Sequence, residues 1–415
     1  MEVAMSTTSN DLENLMSKAQ LLPNGSELDG IAMAIVRLQG LYRLEPKGMI
    51  GFNSQLTLDA DECFHIAAIA QQNRQFHCAI FWIQETIRML DEGTNAVVTK
   101  PQVMALANSV LLQDINLLLS LDVMQQAQQH GDLKTVPQLA DSYNLLQSIK
   151  GWDGLEQSFN PFNFPDFPWR GQYEALCRGE GIKMDPQIQR KLVCRYTTVG
   201  GNPHMMYAPA KEEEEWDQPL ILRYHDLMSV SETEIIKRLA RPKLSRAKVS
   251  DPLTGEQIHT KVRISKSTWF TDDESHVVAR VNKRIAEISG LNMETAEKLQ
   301  IANYGIGGQY EPHYDAALIN DSYFERSGKR IATVLIYMSD VEVGGSTVFP
   351  YIGAALRPKL GSAVIWFNLL KNGEEDTKTL HASCPVFVGS KWVANKWIRI
   401  RGQEFRRRCS LSEFE

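Results

Sequence analysis

Along the first 150 residues, apolar positions recur at helical spacing. Leu12, Leu15, Met16 and Ala19 follow a cap-like Ser9-Asn10, and Leu28, Ile31, Ala32, Ile35 and Leu38 repeat the pattern. From Leu58 to Gly93 the spacing predicts two short amphipathic helices, Asp61–Asn73 and Phe76–Leu90, with Ala67, Ala70 and Ala79 small enough to let them approach closely. Two more helices are predicted over Gln102–Gln113 and Leu133–Ile149. This succession reads as a TPR-like helix-pair region over 55–150. An irregular helical bundle fits nearly as well, because the roughly 34-residue period of that repeat is poorly kept.

The pattern breaks over residues 151–171. Pro161, Pro165 and Pro168, with Gly151, Gly154 and Gly171, leave no room for a helix or a central strand. This segment is a linker, and its aromatics (Trp152, Phe159, Phe162, Phe164, Phe167 and Trp169) predict that it packs on a domain surface.

From 172 to 415 the period changes again. Helices are predicted over Ser231–Leu239 and Ser275–Ile288, the second with Val277, Val281, Ile285 and Ile288 on one face. Short strand-like runs then dominate: His259–Phe270, Leu299–Tyr304, Arg330–Met338, Ser346–Phe349, Ala363–Leu370, Cys384–Val388 and Trp392–Ile400. Turn signals such as Val343-Gly-Gly-Ser346 and Lys371-Asn-Gly-Glu374 separate them. The expectation is an α+β chain whose C-terminal part is a sandwich or jelly roll with helices packed outside.

Composition narrows the function. A chain of 415 residues suggests two or three domains, and 43% hydrophobic with 23% charged residues is ordinary for a globular protein. Lys plus Arg number 44 against 50 acids, a net charge of −6, which argues against coating nucleic acid or an anionic membrane. No run approaches the ~18 apolar residues of a spanning helix; the nearest, Leu106–Met124, is broken by Asn108, Gln113, Asp114 and Asn116. Six cysteines are too few for a small disulfide scaffold, although a bridge or two is compatible. The amino terminus has an early acid and no apolar run, so no signal peptide is visible.

The sharpest chemistry begins at Tyr304-Gly-Ile-Gly-Gly-Gln-Tyr-Glu-Pro-His313-Tyr-Asp315. Residues two apart in a strand share a face, so His313 and Asp315 can present an imidazole and a carboxylate to one point. A second strand can add His381, giving the two-histidine, one-carboxylate donor set of non-haem Fe(II) oxygenases. An H-x-D pair alone is weak, and nine histidines are available. Lys391, ten residues beyond His381, sharpens the reading. A 2-oxoglutarate-dependent oxygenase needs a cation for the far carboxylate of its cosubstrate, and a buried lysine there supplies one. Gly305, Gly307 and Gly308 suggest a nucleotide loop, but no Walker lysine or βαβ context follows.

From about Tyr173 onward the chain closely resembles the catalytic domain of the collagen prolyl 4-hydroxylase α subunit. The matching stretches are Tyr173–Met184, Tyr304–Asp315, Arg330-Ile-Ala-Thr, Gly344-Gly-Ser-Thr-Val-Phe-Pro350, Lys391-Trp-Val-Ala-Asn-Lys-Trp397 and Arg401–Arg407. Residues 58–93 resemble, more faintly, that family's peptide-substrate-binding domain, leaving 1–54 as the remnant of an amino-terminal helical region. The resemblance implies a double-stranded β-helix (jelly roll), Fe(II), 2-oxoglutarate, O₂ and ascorbate, and 4-hydroxylation of peptidyl proline. It implies His313, Asp315 and His381 as iron ligands and Lys391 as partner of the 2-oxoglutarate carboxylate. Tyr304 and Thr347 resemble hydroxyls lining that pocket, and Tyr310 and Trp397 aromatics flanking the substrate proline. Where the family has a histidine near 2-oxoglutarate, eight residues past its lysine, this chain has Arg399, so Arg399 is expected at the cosubstrate with a fixed charge.

The resemblance also implies two disulfides, Cys177 with Cys194 and Cys384 with Cys409, which place the chain in the endoplasmic reticulum lumen. Cys63 and Cys78 are expected to be buried free thiols, and Asn24 and Asn320 to be glycosylation acceptors in that compartment. Protein disulfide isomerase is the partner the family implies. The family's peptide groove is lined by tyrosines, but Leu106, Ser109 and Leu112 stand where they are expected, and Tyr143 is the only tyrosine between Arg43 and Lys150. Weak binding of long proline-rich peptides by 55–150 is therefore expected. Two other readings stay open: a non-catalytic binding paralogue, and a hydroxylase of a non-collagen protein.

Overall fold

The computed structural model describes residues 25–46, 49, 58–110, 112–113, 169–182, 184–250, 257–316, 327–410 and 412. The chain divides into two compact units, Met1–Phe164 and Pro165–Glu415. The helices expected over 12–19 and 133–149, the linker up to 168 and both glycosylation acceptors lie outside the described residues.

In the first unit the helical spacing translates directly into packed helices, Gly25–Tyr42, Ala60–Gln72, Phe76–Asp91 and 100–110. Asp59 starts the second helix through a reciprocal capping box with Glu62, satisfying two backbone N–H groups. Ala67, Ala70 and Ala79 are fully buried, which is the close helix approach their size predicts. Trp82 fills the centre of this core and donates its indole N–H to Gln39 Oε1 at 2.7 Å. Cys63 and Cys78 are buried and free.

The second unit is built on two large antiparallel sheets, with two small two-stranded ones beside them among the described residues. The larger has nine strands in spatial order Cys194–Thr197, Ala210–Trp216, Ile221–His225, Ala363–Phe367, Arg330–Tyr337, Lys391–Arg399, Leu299–Tyr304, Lys266–Phe270 and Ser245–Arg246. The smaller has five: Ala354–Leu356, Thr347–Phe349, His381–Ser383, Gln309–His313 and Arg263–Ile264. Helix His276–Ser289 starts at the Ser275 cap and ends at Gly290, in the left-handed conformation at φ 68°. Its apolar face, Val277, Val281, Ile285 and Ile288, shares one core with Ala332, Val334, Ile336, Ala394 and Ile398 of the larger sheet. The alternate residues of those strands, Thr333, Leu335, Val393 and Trp397, therefore face the opposite way and line a cavity.

Among the strands that were not expected are the three at one edge of the larger sheet. Ala210–Trp216 carries four consecutive glutamates, a pattern of solvated loops. Here each carboxylate has a partner: Glu212 accepts from Tyr224 Oη at 2.6 Å, Glu213 pairs with His225 at 2.7 Å, Glu214 with Arg195 at 3.1 Å, and Glu215 with Arg223. These cross-strand pairs carry the strand and its neighbours, Cys194–Thr197 and Ile221–His225.

The disulfide expectation is corrected. Cys177 is bonded to Cys384, their Cα atoms 5.5 Å apart, while Cys194 and Cys409 are exposed and free, so neither expected pair forms. The cause is the helix Arg170–Cys177, which packs against strands Thr347–Phe349 and Ala354–Leu356. His381–Ser383 pairs with Thr347–Phe349, so Cys384, immediately after it, meets the end of that helix.

Candidate active site

Strand pairing assembles the centre of the cavity. Gln309–His313 runs antiparallel to His381–Ser383 and sets His313 directly opposite His381 across a bulge in the ladder. The two rings lie 4.4 Å apart between centroids. The strand ends at His313, so Asp315 is oriented by hydrogen bonds and not by the pleat. Its Oδ2 accepts from Thr333 Oγ1 at 2.7 Å, and Thr333 in turn accepts from Asn368 Nδ2 at 2.9 Å. Asp315 lies 3.8 Å from His313 Nε2 and 3.5 Å from His381 Nε2.

The tautomers follow from the backbone. His313 Nδ1 contacts the Glu311 carbonyl at 2.8 Å and His381 Nδ1 the Thr379 carbonyl at 2.9 Å. A carbonyl only accepts, so both Nδ1 atoms carry hydrogen and both Nε2 atoms face Asp315. Burial, with the charge of His381 beside it, lowers the His313 pKa to about 3. For Asp315 burial acts to raise the pKa, but His381, His313, Arg330 and the Thr333 hydroxyl outweigh it and hold the group at about 2. The result is a neutral His313 imidazole beside a carboxylate, the protonation that a metal requires of its ligands.

Lys391 opens the strand on the other wall and is only 1% exposed. Its Nζ donates to Ser383 Oγ at 2.8 Å and approaches Thr347 Oγ1 at 3.4 Å. The rings of Tyr304, its cross-strand neighbour, and Tyr337 lie 5.7 and 5.8 Å away. None of these contacts is an anion, and burial alone brings the lysine pKa down to about 7. Gly345, at φ 67°, passes close to the lysine stem; a Cβ there would meet Val341 at 3.1 Å and Lys391 Cδ at 3.5 Å.

The cavity lies between the two sheets and is lined from both. His313, Asp315, His381, Lys391, Tyr304, Thr347, Tyr310 and Trp397 all line it. Tyr310 stacks on His313 at 3.5 Å between centroids, and Trp397 lies under the Arg330 guanidinium at 4.1 Å. Arg399 is the exception and is corrected: it does not line the cavity. It is fully buried beside the cavity wall, where Nη2 pairs with Glu297 Oε1 at 2.6 Å and Nη1 donates to the Gly328 carbonyl at 2.9 Å. The carboxylate holding it is supplied by the turn before strand Leu299–Tyr304, so its charge is engaged before it can reach the cavity.

Residues not foreseen also take part. Thr333, Ser383, Arg263 and Asn395 line the cavity, and Arg263 donates to Gln300 Oε1 at 2.7 Å. Thr333 was legible in principle: it alternates with Ala332 and Val334, which pack in the core. Ser383 gives no local signal, because its role depends on which strand lies opposite.

A family model described as the 2OG-Fe(II) oxygenase superfamily matches residues 299–399, the segment holding all the cavity residues just named except Arg263. Human prolyl 4-hydroxylase subunit alpha-1 is 43% identical over 97% of this chain and 79% of its own length. The Gallus gallus alpha-2 subunit is 41% identical over 100% of this chain and 81% of its own. The chain belongs to the prolyl 4-hydroxylase α-subunit family. The Caenorhabditis elegans alpha-1 subunit is 37% identical over 95% of this chain and 73% of its own length. Among solved structures, the viral collagen prolyl hydroxylase of Paramecium Bursaria Chlorella virus-1 in its 2OG complex is 27% identical, with TM-score 0.35, covering 43% of this chain and 95% of its own. As a member of this prolyl 4-hydroxylase family the chain is a dioxygenase dependent on Fe(II) and 2-oxoglutarate. Its donor set fits that metal: two imidazole nitrogens and one carboxylate with mutually close ligand atoms, each oriented by a second hydrogen bond.

Proposed function

We propose that the chain hydroxylates peptidyl proline at C4 in procollagen-type sequences, consuming 2-oxoglutarate and O₂ and releasing succinate and CO₂. The observation that carries this reading is a buried lysine with no anionic partner among its contacts, set in the same cavity as a histidine–aspartate–histidine cluster. His313, Asp315 and His381 are the proposed iron ligands. Bound there, Fe(II) supplies the redox chemistry that divides O₂ between the keto acid and the substrate carbon.

The chain's own residues bind, orient and exclude water. Lys391 receives the far carboxylate of 2-oxoglutarate, replacing contacts to neutral hydroxyls by a charge-assisted bond, while Ser383 and Thr347 hold its ammonium in place. Tyr304 closes the same pocket. Thr333 fixes Asp315, and the carbonyls of Glu311 and Thr379 fix the two imidazoles. Leu335, Val393 and Trp366 make the remaining wall apolar, which keeps water from the reacting atoms. Tyr310 and Trp397 offer flat faces on either side of a proline ring.

The finer family features belong to the same proposal. The two sheets form a jelly roll, the first unit is a TPR-like peptide-binding region, ascorbate restores the metal after uncoupled turnovers, and protein disulfide isomerase is the partner. The Cys177–Cys384 bridge favours an oxidising compartment, the endoplasmic reticulum lumen. Arg399 pairs with Glu297, so its replacement of the family histidine is no argument for a binding-only paralogue. The test is succinate release with Fe(II) and 2-oxoglutarate, with and without proline peptides. Peptide-stimulated succinate and 4-hydroxyproline are expected, and both should vanish in His381→Ala. Wild-type rates in that variant would overturn the assignment.

A further inference from the structure

The sheet creates an electrostatic problem at one end. Arg330 and Arg399 are direct cross-strand partners, two cations facing each other in a buried ladder. A bulge between Arg330 and Ala332 turns Arg330 out of the alternation that sends Ala332, Val334 and Ile336 into the core, so its guanidinium lies on the Trp397 face of the sheet.

One carboxylate resolves the repulsion. Glu297, itself only 5% exposed, accepts from Arg330 through Nε at 2.5 Å and Nη2 at 2.7 Å, and pairs with Arg399 Nη2 at 2.6 Å. Its backbone N–H donates to the Trp397 carbonyl at 2.9 Å, tying the same turn to the strand that carries Trp397. Arg330 is thereby held flat on the Trp397 ring, with Nη1 left 4.0 Å from Asp315 Oδ1.

We infer that Arg399 is a positioning residue for the substrate side of the cavity, acting through Glu297 on the Arg330–Trp397 pair, and that it makes no contact with 2-oxoglutarate. The inference rests on the proposed function above. Because Glu297 divides its charge between two guanidiniums, Arg330 is not fully neutralised, and its guanidinium, 13% exposed, keeps charge to offer a peptide carbonyl beside the proline-flanking indole. Without Arg399, Glu297 turns wholly to Arg330, and the plane stacked on Trp397 shifts. The cosubstrate end is held separately: Lys391 hydrogen-bonds Ser383 and Thr347, whereas Glu297 binds Arg330 and Arg399.

The experiment uses the full chain loaded with Fe(II) in the absence of O₂, so that nothing turns over. 2-Oxoglutarate is titrated by its charge-transfer absorption with the metal, and a proline-rich peptide is then titrated by calorimetry. If the wild-type protein binds neither, the proposed function fails before Arg399 is tested. In Arg399→Gln, peptide affinity is expected to fall by about tenfold or more, the loss from misplacing one charge-assisted hydrogen bond, with 2-oxoglutarate affinity within about twofold of wild type. Arg399→Lys serves if the glutamine variant does not fold: one point charge still reaches Glu297, so the peptide loss should be smaller and the cosubstrate again unaffected. A fall in 2-oxoglutarate affinity overturns the inference, and so does an unchanged peptide affinity in whichever variant folds.

Discussion

Lys391 Nζ lies 2.8 Å from Ser383 Oγ, a buried cation resting on a hydroxyl two residues beyond His381. The cation and the cluster side chain are thus carried on opposite walls of one cavity but locked by a single hydrogen bond. Lys391→Ala should leave the metal bound and raise the apparent KM for 2-oxoglutarate by about ten- to a hundredfold, the worth of a hydrogen bond to a charged group. Ser383→Ala should raise it less, because Thr347 remains near the ammonium. Steady-state kinetics alongside a Co(II) titration separate cosubstrate from metal effects. An unchanged KM in Lys391→Ala would return the lysine to a purely structural role.

Burial brings the Lys391 pKa from 10.5 down to about 7, so the cation is half lost near neutral pH before any anion binds. Binding of 2-oxoglutarate should therefore weaken as pH rises above about 7, by up to about tenfold per unit, until the anion's own pull on the proton is exhausted. The same shift has a stability signature in the ligand-free protein. The folded state holds fewer protons than the unfolded one between about 7 and 10.5, so stability contributed by this group rises with pH across that window. Lys391→Arg, whose charge is permanent, should flatten both dependences; a slope that survives in it would assign the titration elsewhere.

The Thr333 hydroxyl hydrogen-bonds Asp315, the proposed ligand, and Asn368, and Thr333→Val keeps the shape while deleting the donor to Asp315. Metal affinity should drop roughly ten- to a hundredfold, as usual when the support of a ligand is removed. The 2-oxoglutarate KM measured at saturating metal should change little. Isothermal titration with Co(II) reads the first directly.

How far the chain could be read in advance depended on whether the signal was local. Strand Leu299–Tyr304 and helix His276–Ser289 were legible because their apolar periods coincide with burial. Strand Ala210–Trp216 was not, since its glutamates become sheet residues only once Arg195, His225 and Arg223 arrive from neighbouring strands. His313, Asp315, His381 and Lys391 could be picked out as candidates because the proposed donor set needs those residue types, and the structure brings all four to one cavity, although Asp315 lies beyond the strand that was expected to aim it. Arg399 was misplaced because its position relative to Lys391 says which strand it occupies, but not that Glu297, from a distant turn, would engage it first. Cysteine pairing failed for the same reason: it records which helix docks on which strand, and Cys177 and Cys384 are 207 residues apart.

That pairing is directly testable. Alkylation of the native protein should label Cys194 and Cys409, and peptide mapping should recover Cys177 linked to Cys384. Cys63 and Cys78 should label only after unfolding, because burial pushes both thiols up to about 12. Cys177→Ser should cost about 2–5 kcal/mol of stability, read from the denaturation midpoint. Recovery of a Cys177–Cys194 peptide from native protein would reinstate the pairing expected from the family.

The last prediction concerns substrate length. A groove for an extended proline-rich peptide gains from rigid aromatic faces with hydroxyls that bond peptide carbonyls. At the three positions where such tyrosines were expected, Leu106 is half-buried against the helical core, Ser109 accepts a 2.7 Å hydrogen bond from Gln71, and Leu112 is exposed. Ser109 is thus engaged inside the unit, and the two leucines have no donor to offer. A first unit built this way adds little binding energy as the peptide grows. The KM for a ten-repeat proline-rich peptide, corrected for the number of prolines, should lie within about threefold of that for a single repeat, since one lost hydrogen-bonding contact already accounts for a larger change. A KM that falls by orders of magnitude with length, and recovers the short-peptide value when residues 58–110 are altered on the exposed face of the 100–110 helix, would show a working groove and refute this reading.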